Sequence, residues 1–140
     1  VYKRQACLRG PVSSNVRPHK PKSAQVHLFQ QSEPPVVPTS KEQLLHQLAS
    51  VEGLSAEPSP VAGGTALFFR GKEFAHFHND NELDLRLTRK VITSLGLSHP
   101  PGSAHHPTPA ASSPWIEVRF SSPGEVKRTV ELVKLAVAQL

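Results

Sequence analysis

Methionine is absent from this 140-residue chain, and cysteine, tryptophan and tyrosine each occur once. The single Cys7 excludes an internal disulfide and a thiolate metal site within the chain. As a nucleophile Cys7 has no support, because nothing in its Pro-rich surroundings orients a base toward it. Long hydrophobic runs are missing too: Val26 to Phe29 is far short of the roughly 20 apolar residues a membrane-spanning helix needs. The missing methionine reads as the mark of a fragment, and Val1-Tyr2-Lys3-Arg4-Gln5 is what translation of GTGTATAAGAGACAG, the end of a sequencing-library adapter, would produce. Residues 1–5 are therefore expected to be an adapter artefact and are set aside as a fusion scar would be. The free cysteine and the lack of targeting signals point to the cytoplasm.

Charge is distributed unevenly. Residues 1–38 hold six of the sixteen basic residues, Lys3, Arg4, Arg9, Arg17, Lys20 and Lys22, against Glu33 alone, while residues 39–140 balance ten basic with ten acidic side chains. The high pI thus belongs to the tail and is no sign of a nucleic-acid surface on the rest. The same tail contains Pro11, Pro18, Pro21, Pro34, Pro35 and Pro38 with no hydrophobic period. It cannot bury enough apolar surface to offset its ordering entropy, so a disordered basic tail over 1–38 and one domain over 39–140 are expected.

Within 39–140 the organising stretch is Thr65 to Leu87, TALFFRGKEFAHFHNDNELDLRL. Apolar and polar residues alternate at period two, predicting strands at Thr65 to Phe69, Glu73 to His78 and Glu82 to Leu87. The turns fall at Arg70-Gly71-Lys72 and Asn79-Asp80-Asn81, where Gly and Asn are expected to supply positive φ. Phe74 and Phe77 would lie on opposite faces and His76 and His78 on one. Before the strands, Thr39 and Glu42 read as a capping box for a helix with Leu44, Leu45, Leu48 and Val51 inward and Gly53 as its C′ residue; Leu54 to Gly64 reads as a loop or irregular edge. After them, Thr88 caps a helix with Val91, Ile92 and Leu95 inward that stops at Gly96. A long irregular connection, HPPGSAHHPTPAASSP, leads to a strand opened by Trp115 and a helix started by Ser122-Pro123-Gly124-Glu125, with Val126, Val130, Val133 and Val137 on one stripe. The expected fold class is α+β: helix, three-stranded antiparallel meander, helix, strand, helix, with helices on one face of the sheet, an order like that of YjbR-like proteins.

The concentrated chemistry lies on the polar side of the meander. His76 and His78 share a face with the row Glu82, Asp84 and Arg86 if the strands pair in register. His99, His105 and His106 come from the connection, where the last two are expected to face solvent. A structural alternative stands beside any functional one: the two strand imidazoles can simply brace Glu82, Asp84 or Glu117. Zinc or iron held by His76, His78 and His99 is another alternative; Gly71, His76, His78 and Glu82 approximate a first cupin motif, but a cupin needs more strands than this chain supplies.

Together, GKEFAHFHNDNELDLRL, the helix to Gly96, His99-Pro100, the Pro-rich connection, Trp115 and the Val-rich last helix resemble the luciferase domain of fungal luciferases and of small bacterial luciferase-family proteins. The resemblance spans about residues 41–140. The fungal enzymes also carry an N-terminal region with a membrane-anchoring stretch, to which no membrane segment corresponds here. They are understood to oxygenate a hydroxylated pyrone, 3-hydroxyhispidin, with molecular oxygen and no organic cofactor. The resemblance accordingly implies an oxygenase-like enzyme acting on a small enolic or aromatic compound, with His76 or His78 as base, His99 orienting or neutralising the oxyanion, and Trp115, Asp84 and Glu82 lining the substrate. It implies no cofactor beyond oxygen as co-substrate. A non-catalytic module binding a small ligand or metal, and an interaction module, are the alternatives; the neutral balance of 39–140 argues against a nucleic-acid partner. Oligomeric state is left open.

Overall fold

A computed structural model describes residues 10, 33–60 and 63–140. The expectations for residues 1–5, for Cys7 and for most of the basic tail lie outside these residues. The compact unit carrying the described helices and strands runs from Pro35 to Leu140. Its elements are α1 (Ser40–Leu48), β1 (Leu54–Pro58), β2 (Thr65–Phe69), β3 (Lys72–Asn79), β4 (Glu82–Arg86), α2 (Arg89–Ser94), β5 (Trp115–Arg119) and α3 (Pro123–Ala138). The five strands form one antiparallel sheet in chain order, each paired with its sequence neighbour. The protein is thus an α+β domain with helices flanking an antiparallel sheet.

The capping signals act as their chemistry requires. Thr39 and Glu42 form a full capping box on α1, and Ser122 and Glu125 form another on α3 with Pro123 in its first turn. Thr88 caps α2 through the Val91 amide. On the inner side of the sheet Ala75, Phe77, Leu83, Leu85 and Ile116 meet Leu44 and Leu48 of α1, Ile92 of α2, and Val126, Val130 and Val133 of α3 in one buried cluster. At roughly 25 cal/mol per Å² of apolar surface removed from water, this cluster is the main source of stability.

Four expectations are corrected. Leu54–Pro58 is an edge strand paired with β2, not a loop; its residues are half-buried or exposed, so they show no alternation, and Pro58 needs no ladder donor at an edge. Helix α1 ends at Leu48, and Gly53, with φ of 81°, opens β1 instead of closing the helix, its carbonyl accepting from the Arg70 amide at 2.9 Å. Leu95 is 48% exposed, because the six-residue α2 ends at Ser94 and Leu95 is its C-cap and not part of its inward face. At the first hairpin turn it is Arg70, with φ of 49°, that joins Gly71 in the left-handed region, while no asparagine does so at the second. There the Asn79 side chain accepts from the Asn81 amide at 2.8 Å and closes the turn itself.

Strand β3 has eight residues against five in each neighbour, and two bulges absorb the difference. Leu67 faces Ala75 and Phe68 faces Glu73, leaving Phe74 extra; Phe77 faces Leu83 and Asn79 faces Glu82, leaving His78 extra. The first bulge turns Phe74 into the core, where it is fully buried beside Phe77 although simple alternation separates them. Glu73 and His76 then stand together on the other face, their side chains 3.5 Å apart.

Candidate functional site

The outer face of the sheet is built from polar alternates of the same strands. Register places His76 opposite Asp84, Asp84 opposite Glu117, Glu82 opposite Arg119 and Arg86 opposite Trp115. The connection between α2 and β5 lies over this face, anchored by Ser103. The buried Ser103 hydroxyl donates to a Glu117 carboxylate oxygen and accepts from the His106 amide at 2.9 Å. Further along, the Leu87 amide donates to the Pro114 carbonyl at 2.7 Å and fixes the return into β5.

Asp84 is the centre of the arrangement. Its Oδ2 has His106 Nε2 at 2.7 Å, His78 Nε2 at 3.0 Å and His76 Nε2 at 3.3 Å. Burial alone would push the Asp84 carboxyl up; the imidazoles of His76, His106 and His78 set against it outweigh this and hold it well below the usual carboxylate range. The His76 imidazole is raised by its hydrogen bond to Asp84, against its own desolvation, with the Asp84 and Glu73 charges adding to the rise. A carboxylate oxygen offers two lone pairs, so three imidazoles cannot all be satisfied on Oδ2. Accordingly, the buried side-chain atoms without a hydrogen-bond partner among the described residues are His76 Nδ1, His78 Nε2 and Asp84 Oδ1, all in this one cluster.

His99 is held differently. As β5 is an edge strand, the Glu117 amide points away from β4 and donates to His99 Nδ1 at 3.3 Å. With Nδ1 accepting, a neutral His99 carries its proton on Nε2. Burial lowers its pKa first and the neighbouring His106 adds to this, against the Asp84 and Glu117 carboxylates, so the neutral form is favoured. Its ring centre lies 4.7 Å from that of His106. The two rings line an open cleft of about 420 Å³ whose other walls include Pro100, Pro101, Pro107 and Pro109.

Of the residues singled out in the sequence, His76, His78 and Asp84 are brought into direct contact, and Trp115 lies against His76 with ring centres 5.6 Å apart. His99 stands with His106 and Glu117. Glu82 pairs with Arg119 at 3.3 Å and has exposed His105 at 3.7 Å. His105 stacks on His78, with centres 3.7 Å apart and planes 9° from parallel. His106, expected in solvent, is instead half-buried on Asp84; Glu117, named as a carboxylate the histidines could brace, is held by Ser103 and Arg119, and Glu73, Ser103 and Arg119 complete the polar network without having been singled out. The doubled histidine in an otherwise Pro-rich connection was the available signal for His106.

No helix among the described residues is long and apolar enough to cross a membrane. No curated protein and no solved structure matches the chain. Residues 71–136, just under half of the chain, match the sequence model of the luciferase domain. This segment contains the hairpin with His76, His78 and Asp84, the connection with His99 and His106, and β5 and nearly all of α3. This match supports a luciferase-domain family assignment for the segment that carries the site.

Proposed function

We propose that this luciferase-family domain is an oxygenase-like enzyme that removes a proton from a small enolic or aromatic compound in the cleft beside His99 and His106, with molecular oxygen as co-substrate and no organic cofactor. The observation that carries the reading is the complementary pair of ring nitrogens. His106 gives its Nε2 proton to Asp84, which leaves Nδ1 as the basic nitrogen, as an aspartate does for a catalytic histidine. His99 has Nδ1 occupied by the Glu117 amide and so keeps a donor at Nε2. One neighbour can take an enol proton while the other donates to the developing oxyanion. The enolate carbon then bonds to oxygen, and the proton held on His106 returns to the distal oxygen to give a hydroperoxide. The cleft has the size of a small-molecule site, and its pyrrolidine walls suit a flat, partly apolar ligand.

The test is oxygen uptake by the full chain with a panel of hydroxypyrones and catechols. His106→Ala should lower kcat by about 100-fold or more with unchanged far-UV circular dichroism, the usual scale of a lost general base. Asp84→Asn, which disturbs the tautomer, should lower kcat with little change in KM. Absence of uptake across the panel, or full turnover by His106→Ala, would overturn the proposal.

A further inference from the structure

We infer that His76, His78 and Asp84 form a binding site for a divalent first-row transition-metal ion of the zinc or iron(II) kind. This inference goes beyond the acid–base reading of the cleft and does not depend on it. Three groups of His and carboxylate atoms lie close enough to share an ion: His76-His78-Asp84, His78-Glu82-His105 and His99-His106-Glu117. What separates them is whether their donor atoms are already used. In the second, Glu82 is engaged by Arg119 at 3.3 Å and His105 is exposed. In the third, Glu117 is held by Ser103 and by Arg119 at 3.0 Å, and His99 Nδ1 accepts from the Glu117 amide. His78 is shared by the first two groups, but only the first joins it to a carboxylate with a buried oxygen left over: His78 Nε2 lies 3.0 Å from Asp84 Oδ2 without the alignment of a hydrogen bond, and Asp84 Oδ1 has no partner among the described residues. Burying such atoms unpaired is costly, and an ion is the ligand that two imidazoles and a carboxylate would share.

The spacing fits this occupant. Nitrogens at 3.0 and 3.3 Å from the carboxylate oxygen are at the separation of neighbouring ligands when metal–ligand bonds are about 2.0–2.2 Å. Groups that orient metal ligands are also in place. Glu73 lies 3.5 Å from the far nitrogen of His76, and Ser59 in turn donates to Glu73 at 3.4 Å. His106 fixes the Asp84 carboxylate. Two histidines and one carboxylate leave coordination positions open, which is the donor set of non-haem iron sites and also suits zinc.

The test is equilibrium titration of the untagged, EDTA-treated full chain with Zn²⁺ in air and Fe²⁺ under anaerobic conditions. Cobalt(II) absorption between 500 and 650 nm reports the ligand geometry. Binding of one ion per chain is expected, with His78→Ala weakening it at least 100-fold, Glu73→Gln weakening it by about 10-fold as a lost orienting group does, and His105→Ala leaving it within 3-fold. The circular dichroism of each variant is measured alongside, and Glu73→Gln retains the test if His78→Ala fails to fold. Failure to bind either ion, binding unaffected by His78→Ala and Glu73→Gln, or binding lost instead in His105→Ala, would overturn the inference. Since His106 is not substituted, failure here is distinguishable from failure of the oxygen-uptake assay.

Discussion

The two faces of the sheet are made by alternate residues of the same strands and are satisfied in opposite ways. On the helix side, Leu83, Leu85, Ala75 and Phe77 are at most 5% exposed and need only close packing. On the loop side, Glu73, His76, Asp84 and Glu117 are bound by directional contacts, and three of the buried atoms remain without a partner. One peptide unit therefore separates residues that hold the fold from residues arranged for chemistry. A face left partly unsatisfied contributes less to folding and is better able to receive a ligand.

The sharpest way to break this comparison is Phe74→Ala. Emptying a fully buried aromatic position should cost about 3–5 kcal/mol in urea denaturation, with a loss under about 1 kcal/mol showing that the helix side is not the source of stability. Next is pH, in the presence of EDTA. The lowered Asp84 carboxyl stabilises the fold fully above its unfolded pKa near ~4, and that contribution is lost as pH falls through the lower folded value. The raised His76 imidazole stabilises fully below about pH 6.5, and that part is lost as pH rises through the higher folded value. The stability gap between the native chain and Asp84→Asn should thus be widest between about pH 4 and 6.5 and narrow on both sides; a gap independent of pH would show that the imidazoles do not answer to Asp84.

Ser103→Ala should cost about 2 kcal/mol by removing hydrogen-bond partners from Glu117 and the His106 amide. It should also make the connection more readily cleaved by protease, whereas unchanged cleavage would mean that other contacts fix the loop. His78→Leu should leave the metal-free protein as stable or stabilise it by about 1 kcal/mol, since it removes a buried unpaired nitrogen; a large loss would show that the loop side is structural after all. The smallest effect belongs to the solvent-exposed pair Glu131 and Lys134 on α3, 3.6 Å apart, where Glu131→Ala should change the melting midpoint by no more than about 0–0.5 kcal/mol implies.

The helices and four of the strands were legible because their signals are local: a hydroxyl three residues before Glu42 or Glu125, period two through β3 and β4, and Gly96 after Ile92. The contact of His76 and His78 with Asp84 was legible too, because a hairpin converts sequence order directly into register. What could not be read depends on distant partners. Strand β1 exists because β2 offers an edge, and its own residues carry little burial pattern. His106 reaches Asp84 across 22 residues through Ser103 and Glu117, and no local period encodes that closure. The position of Phe74 was misread because alternation assumes one residue per rung, which β3 violates.

The surplus residues of β3 also determine where the chain tolerates a change of length. Deleting Phe74 would remove a core ring yet leave His76 and Asp84 on their present side, since Ala75 and Glu73 already pair with consecutive positions of β2. Deleting a residue within β4 would rotate every later side chain of that strand by half a turn, bringing Asp84 among the leucines. Related chains that differ by a single residue in this hairpin should therefore differ at the position of Phe74, with β4 constant in length.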